Sequence, residues 1–432
     1  MKRIDFSRWH RKITGVVVLA AAVGLVIWAT SARSVAQSSE EGSRTSTLLD
    51  RAPAWIVSAD PYDTYSAAVA VDPVRNEIIL QSPKKLLVYN REANTPPSAS
   101  MTEPKRMIVG PKTKMDDNCG LYVDWKTGEL YTIANDITDL MVVFSPGATG
   151  DVAPAREMVT PQTVYGMAVD EEAQEIFFTV GHPPAVTVFP KSSQGNEPAL
   201  RILEGDRTQL AFPHGIALDS KNKLIFVTNH GAVASNKDGI GWARWPISSP
   251  ESPTPRYQIP AGSRSYKSLD RGNVIPGTGR FVPPSITVYP LKASGDTPPL
   301  RVIQGPKTQL DWPMHLYVDS EHGEVFVAND TGHSVLVFRV TDQGDAAPIR
   351  VLKGPKTGIQ NPTGVYVDTQ NDELVVSNMR THSATVYRRT ASGDTPPLRV
   401  IRSAPLGVEA PALGQVSSFT YDTKRDEILA PN

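Results

Sequence analysis

The sequence predicts an all-β protein built as a β-propeller, a ring of short four-stranded antiparallel sheets. Three observations carry that expectation. The eleven residues ASGDTPPLRVI stand at 293–303 and again, unchanged, at 391–401. Segments ending apolar, apolar, Asp recur at Asp72, Asp124, Asp170, Asp219, Asp319, Asp368 and Asp422, with spacings of 52, 46, 49, 100, 49 and 54 residues. The chain also carries 37 Pro and 31 Gly, which interrupt it too often for long helices but suit short strands joined by turns. A period near 49 residues, with one unit doubled, is that of a propeller blade.

The N-terminus stands apart from this pattern. MKRIDFSRWHRK holds five Lys or Arg, and residues 13–32, ITGVVVLAAAVGLVIWATSA, carry no charge. A basic head before an apolar run marks an export signal. Ser34 and Ala36 supply the small residues a signal peptidase reads, with cleavage expected after Ala36, while 20 apolar residues also suffice for an uncut membrane anchor. Residues 1–36 are therefore read as signal peptide or signal anchor, and 37–50 as a polar linker. Either way the remainder, 51–432, is expected outside the cytoplasm, periplasmic or extracellular.

Each unit supplies four strand signals in order. The strand ending in Asp is followed, five residues on, by Glu in six of seven units: Glu77, Glu129, Glu175, Glu324, Glu373 and Glu427. An Asp that closes its own turn and a second apolar run form a hairpin. A third strand follows (LLVY, MVVF, VTVF, ITVY, VLVF, ATVY), then a Gly/Pro turn and an outer strand of the type PLRVIQG. Counting anchors gives seven blades, with six or eight as alternatives. The last unit ends soon after Asp422, so an N-terminal strand from Pro53–Asp72 is expected to close the C-terminal blade.

Bulk composition narrows the function classes. A formal charge of −1 gives no general attraction to nucleic acid, and the single cysteine, Cys119, excludes an intrachain disulfide framework. No G-x-S-x-G, H-E-x-x-H or phosphate-loop pattern occurs.

The entry strands PHGIALD (213–219) and PTGVYVD (362–368), with VTN and VAN strand ends at Asn229 and Asn329, resemble the NHL and YVTN-type β-propellers of bacterial exported proteins. The resemblance covers residues 52–432 and implies fold strongly. It implies function weakly, since such propellers include lyases, lactonases and binding modules. In the NHL-like lyases and gluconolactonase-like propellers a metal sits in the central channel, so the resemblance implies that location here.

Strand alternation sorts the histidines. His214 and His315 start inner strands, and His182, His230, His333 and His382 fall in second-to-third-strand loops, so six share one face while His322 falls on the other. Residues 230–283 insert in the fourth blade on that same face, with seven Lys or Arg against three Asp or Glu. Trp242, Arg244, Trp245, Tyr257 and Tyr266 in this insertion suit stacking on a sugar, a ring or an anionic polymer. His214, His230 and His315 are candidate ligands for a divalent metal such as zinc, calcium or magnesium, with Asn229, Asn329 or Asp330 as oxygen donors.

Two functions follow as expectations. One is an exported binding propeller that takes a small molecule, glycan or protein partner on the insertion face, touching a membrane only through an uncleaved N-terminal segment. The other is a metal-dependent lyase or lactone hydrolase with its site at the channel. The strand-end Asp residues are expected to close turns. The outer-strand arginines (Arg106, Arg201, Arg301, Arg350, Arg399) are expected to pair with acidic neighbours. The GPKT stretches could cradle an anion or simply be repeated turns.

Overall fold

The computed structural model describes residues 67–134, 138–233, 280–408, 420–422 and 427–429. The chain divides into two compact units, residues 60–410 in one and residues 1–59 with 411–432 in the other. The first unit holds six four-stranded antiparallel sheets. Blade 1 is β1 (Ala68–Asp72), β2 (Glu77–Ser82), β3 (Lys85–Asn90) and β4 (Arg106–Val109). Blade 2 is β5 (Asn118–Val123), β6 (Leu130–Ala134), β7 (Leu140–Phe144) and β8 (Arg156–Val159). Blade 3 is β9 (Val164–Asp170), β10 (Glu175–Val180), β11 (Ala185–Pro190) and β12 (Arg201–Glu204). Blade 4 is β13 (Pro213–Asp219) and β14 (Leu224–Asn229), then, beyond the short pair β15 (Ala232–Val233) and β16 (Arg280–Phe281), β17 (Ser285–Pro290) and β18 (Arg301–Gln304). Blade 5 is β19 (Pro313–Asp319), β20 (Glu324–Asn329), β21 (Ser334–Arg339) and β22 (Arg350–Leu352). Blade 6 is β23 (Pro362–Asp368), β24 (Glu373–Asn378), β25 (Ser383–Arg388) and β26 (Arg399–Arg402).

The second and third strands are buried almost throughout, as in Glu77–Ser82, because both faces of each sheet lie against neighbouring blades. Continuous apolar runs rather than strict alternation are the result. Six apolar clusters form, one at each junction between successive blades. The cluster joining Val69, Leu80 and Tyr89 of blade 1 to Val375, Val386 and Ile401 of blade 6 closes the ring directly.

The ring has six blades, one of the alternatives expected beside seven, and β1 is the inner strand of blade 1, paired to β2 from Ala68 to Asp72. Among the described residues no seventh four-stranded sheet lies between blades 6 and 1. Arg91 pairs with Glu373 at 2.9 Å across this junction, and the amides of Thr95 and Thr102 donate to the carbonyls of Val400 and Arg402 at 2.7 and 2.8 Å. The seventh anchor belongs to the other unit, where β27 (Thr420–Asp422) and β28 (Glu427–Leu429) pair with each other. Residues 53–66, the proposed closing strand, lie outside the described residues, as do the 13–32 run and the linker. Among the described residues no helix is long and apolar enough to cross a membrane.

The duplicated ASGDTPPLRVI has a mechanical explanation. Its Gly pairs with the outer strand of the preceding blade, in the bridges Leu203 to Gly295 and Leu352 to Gly393, with three equivalents in other blades. Its Asp, or the Asp in that place, accepts a backbone N–H from the preceding blade's GPKT-type turn: Lys112 to Asp151, Arg207 to Asp296, Lys307 to Asp345 and Lys356 to Asp394, each 2.7 Å. The stretch is a suture between blades. The anion that GPKT cradles is the protein's own carboxylate.

Candidate functional site

Antiparallel winding places the starts of the inner strands and the ends of the second strands on one face of the ring. Six of the histidines fall there, as the sequence indicates: His214 and His315 in β13 and β19, His230 just after β14, and His182, His333 and His382 in second-to-third-strand loops. His322 lies in the opposite hairpin turn, its Nδ1 2.7 Å from Asp319 Oδ2. Trp242, Arg244, Trp245, Tyr257 and Tyr266 lie outside the described residues. The root of their insertion is described: β15 and β16 pair beside His230, and the amides of His230 and Gly231 donate to the carbonyls of Phe212 and Ala211.

Blades 3, 4 and 5 bring four rings into a continuous stack at the channel mouth. Tyr165 lies on His214 with centroids 4.1 Å apart, His214 on His230 at 4.1 Å, and His230 on Trp312 at 4.2 Å. Phe212 flanks it, 4.7 Å from His182 and edge-on to Tyr165 and His230. His214 and His230 are 7% and 3% exposed, while Tyr165, Phe212 and Trp312 remain half-buried. The backbone beneath is held by hydroxyls, because Thr179 of blade 3 donates to the carbonyl of His214.

The stacked imidazoles are neutral. Burial holds His214 well below the ordinary histidine value, with His230 and His315 adding to the effect. Burial brings His230 down to about 3, only partly opposed by the Pro313 carbonyl, and His182 down to about 4. His214 Nδ1 is buried without a hydrogen-bond partner among the described residues, and the ring nitrogens of His230 have only the loosely placed Pro313 carbonyl nearby. Polar atoms in that state are costly unless something meets them.

His315 behaves differently. Its Nδ1 lies 2.9 Å from the Thr363 carbonyl of blade 6 and its Nε2 3.2 Å from the Tyr165 carbonyl of blade 3, so the ring spans the channel from blade 5. Burial lowers its pKa, with the two carbonyls opposing.

The three histidines expected to hold a metal are thus neighbours without converging. His214 and His230 meet face to face, which turns their lone pairs edgewise, and His315, 6.4 Å from His214, directs both nitrogens at backbone oxygens. Among the described residues no group of three or more His, Cys, Asp or Glu is placed to hold an ion. Of the expected oxygen donors, the Asn229 and Asn329 carboxamides instead accept the backbone N–H of Ala211 and Asp311, at 3.0 and 2.7 Å. Asp330 is pushed up to about 6 by burial, with Asp311 adding to the rise.

Tyr165, Phe212 and Trp312 are not legible in the sequence through histidine spacing, yet a signal exists. The residue before the inner strand adopts positive φ in blades 2 to 6: Asp117 49°, Thr163 61°, Phe212 57°, Trp312 53° and Asn361 46°. Asp and Asn tolerate this region, whereas a bulky aromatic there stores strain of about 1–3 kcal/mol. FPHG and WPMH therefore mark the place where backbone comfort yields to ring placement.

The remaining repeated residues are structural. Asp72 accepts the amides of Val74 and Arg75 at 3.0 and 2.9 Å, and Asp124, Asp170, Asp219, Asp319 and Asp368 close their hairpins likewise. Glu175 meets Arg201 at 2.7 Å, Glu324 meets Arg350 at 2.6 Å, and Glu77 with Arg106 and Glu373 with Arg399 repeat the pair. Arg301 differs because blade 4 has Leu224 at the Glu position, and its guanidinium donates to the Val340 carbonyl at 2.7 Å. Cys119 is half-buried, its thiol donating to the Val164 carbonyl at 2.9 Å.

No family model matches the chain, and no curated protein matches it. Among solved structures the chain is similar to one titled "Crystal structure of Nidogen/Laminin Complex", at 15% identity and a TM-score of 0.46, over 76% of this chain and 94% of that one.

Proposed function

We propose that this protein is an exported binding propeller that seats a small uncharged ligand, bearing a flat ring and a hydroxyl, at the channel mouth formed by blades 3 to 5. The face is the one from which residues 230–283 emerge. The observation that carries the reading is the Tyr165, His214, His230, Trp312 stack, whose imidazoles are neutral and hold buried nitrogens open to a donor. Aromatic edges and neutral acceptors favour a ring with hydroxyl donors over an ion. Export is supported by the basic and apolar character of residues 1–36. The metal-dependent lyase or lactone hydrolase is the weaker reading, since His214, His230 and His315 direct no common set of lone pairs at one point.

Titration of purified protein with p-cresol and, separately, methyl glucoside, followed by ligand-observed NMR, tests the proposal. The expected result is saturable binding of one of them, which also distinguishes an aromatic from a sugar ring. Phe212→Gly and Trp312→Gly remove rings while relieving positive φ, so both should stay folded and lose the binding. Absence of saturation by either compound, or one equivalent of tightly held metal released by His214→Ala, overturns the reading.

A further inference from the structure

Blade 5 differs from blades 3, 4 and 6 at two neighbouring positions, one on its inner strand and one on its second strand; blade 1 has Ala68 and Gln81 there, and blade 2 has Gly120 and Ile133. The third residue of the inner strand is Gly120, Gly166, Gly215 and Gly364 in blades 2, 3, 4 and 6, but His315 in blade 5. The fifth residue of the second strand is Thr179, Thr228 and Ser377 in blades 3, 4 and 6, but Ala328 in blade 5. In blades 3 and 4 these residues form a clasp. Gly166 N donates to Thr179 Oγ1 at 2.8 Å and that hydroxyl donates to the His214 carbonyl of the next blade. Gly215 N donates to Thr228 Oγ1 at 2.8 Å, and Thr228 donates to the Met314 carbonyl at 2.6 Å. Blade 5 has no such hydroxyl, yet the equivalent carbonyl, that of Thr363, still has a donor in His315 Nδ1 at 2.9 Å.

We propose that the His315 imidazole replaces the Gly–Thr clasp of blades 3 and 4, joining blade 5 to blade 6, and thereby becomes the floor of the mouth. The clasp requires the proton on Nδ1, at the shorter contact, because a carbonyl only accepts; Nε2 then lies 3.2 Å from the Tyr165 carbonyl at the far edge of the ring. The two departures are one compensated change: a glycine at 315 would remove the imidazole donor from the Thr363 carbonyl, and a threonine at 328 would compete with the imidazole for that carbonyl. His315 is a positioning residue. Its role as floor rests on the binding reading above; its role as clasp does not.

The test uses His315→Gly, Ala328→Thr and the double variant. Each single change should raise the unfolding equilibrium constant about tenfold, the size of one lost buried hydrogen bond. The double variant, which recreates the blade 3 and 4 clasp, should return to within about threefold of the parent. Losses that simply multiply in the double variant overturn the clasp. In ¹⁵N-histidine NMR of the parent the proton should reside on Nδ1 of His315; a proton on Nε2 alone overturns it equally. The floor is read separately: a stable double variant should lose p-cresol binding, and unchanged affinity removes that role. A parent protein that binds no p-cresol counts against the binding reading, while the stability and NMR results still decide the clasp.

Discussion

The imidazole of His214 lies flat against that of His230, with centroids 4.1 Å apart and planes 20° apart. Two stacked, buried imidazoles cannot both charge without desolvation and mutual repulsion, and this has a consequence for stability against pH.

Both folded-state pKa values lie below the unfolded value near 6.5, that of His230 at about 3. Below pH 6.5 the unfolded chain therefore binds more protons than the native ring, so stability is complete above that value and is lost as pH falls toward the folded values. Each imidazole should contribute a slope of up to about 1.4 kcal/mol per pH unit. Thermal unfolding between pH 7 and 4 should show the loss, and His230→Phe should flatten it. An equal slope in His230→Phe would show that the pair does not govern acid stability.

The glycine before the clasp admits no side chain at blade 4. A Cβ on Gly215 would lie 2.4 Å from the Met314 carbonyl oxygen, whereas on Gly364 its nearest neighbour is Ser377 Oγ at 2.8 Å and backbone stands no closer than 3.1 Å. Gly215→Ala should cost about 2–3 kcal/mol by forcing strands apart, and Gly364→Ala measurably less. Denaturant midpoints of the two variants check the order.

The pairing of Glu on the second strand with Arg on the outer strand has an internal control in blade 4. Glu324→Leu should leave the mostly buried Arg350 without its carboxylate and cost about 2–3 kcal/mol. Leu224→Glu supplies Arg301 with the partner it lacks and should cost nothing or add up to about 1 kcal/mol. Chemical unfolding of both variants compares them directly.

Deleting residues 236–280 removes only Arg280 from the paired root of Ala232–Val233 with Arg280–Phe281, and leaves all six blade sheets complete. The unfolding midpoint should stay within about 2 °C of the parent, since no blade junction is touched. Ligand-observed NMR should show weakened or lost capture of p-cresol or methyl glucoside. Capture at full strength would separate the mouth from the insertion.

Much of the architecture was legible because it is local and repeated. The Asp hairpins, the Glu to Arg pairs and the sutures made by Gly295 with Asp296 or Gly393 with Asp394 recur at one period, so each copy explains the others. The candidate site was only half legible. His214, His230 and His315 could be assigned to one face from strand direction, but Tyr165, Phe212 and Trp312 carry no histidine signal and join them only through the twist and packing of three blades.

By itself, then, the sequence determined the kind of sheet, its repeat and the sidedness of its loops, because strand alternation and turn chemistry act over a few residues. The tertiary structure alone decided that six blades close the circle and that His214 stacks on Tyr165 and His230. It also decided that His315 reaches Tyr165, 150 residues away. Those relations depend on the angle at which neighbouring sheets pack, summed around a ring, and no short stretch of sequence contains that sum.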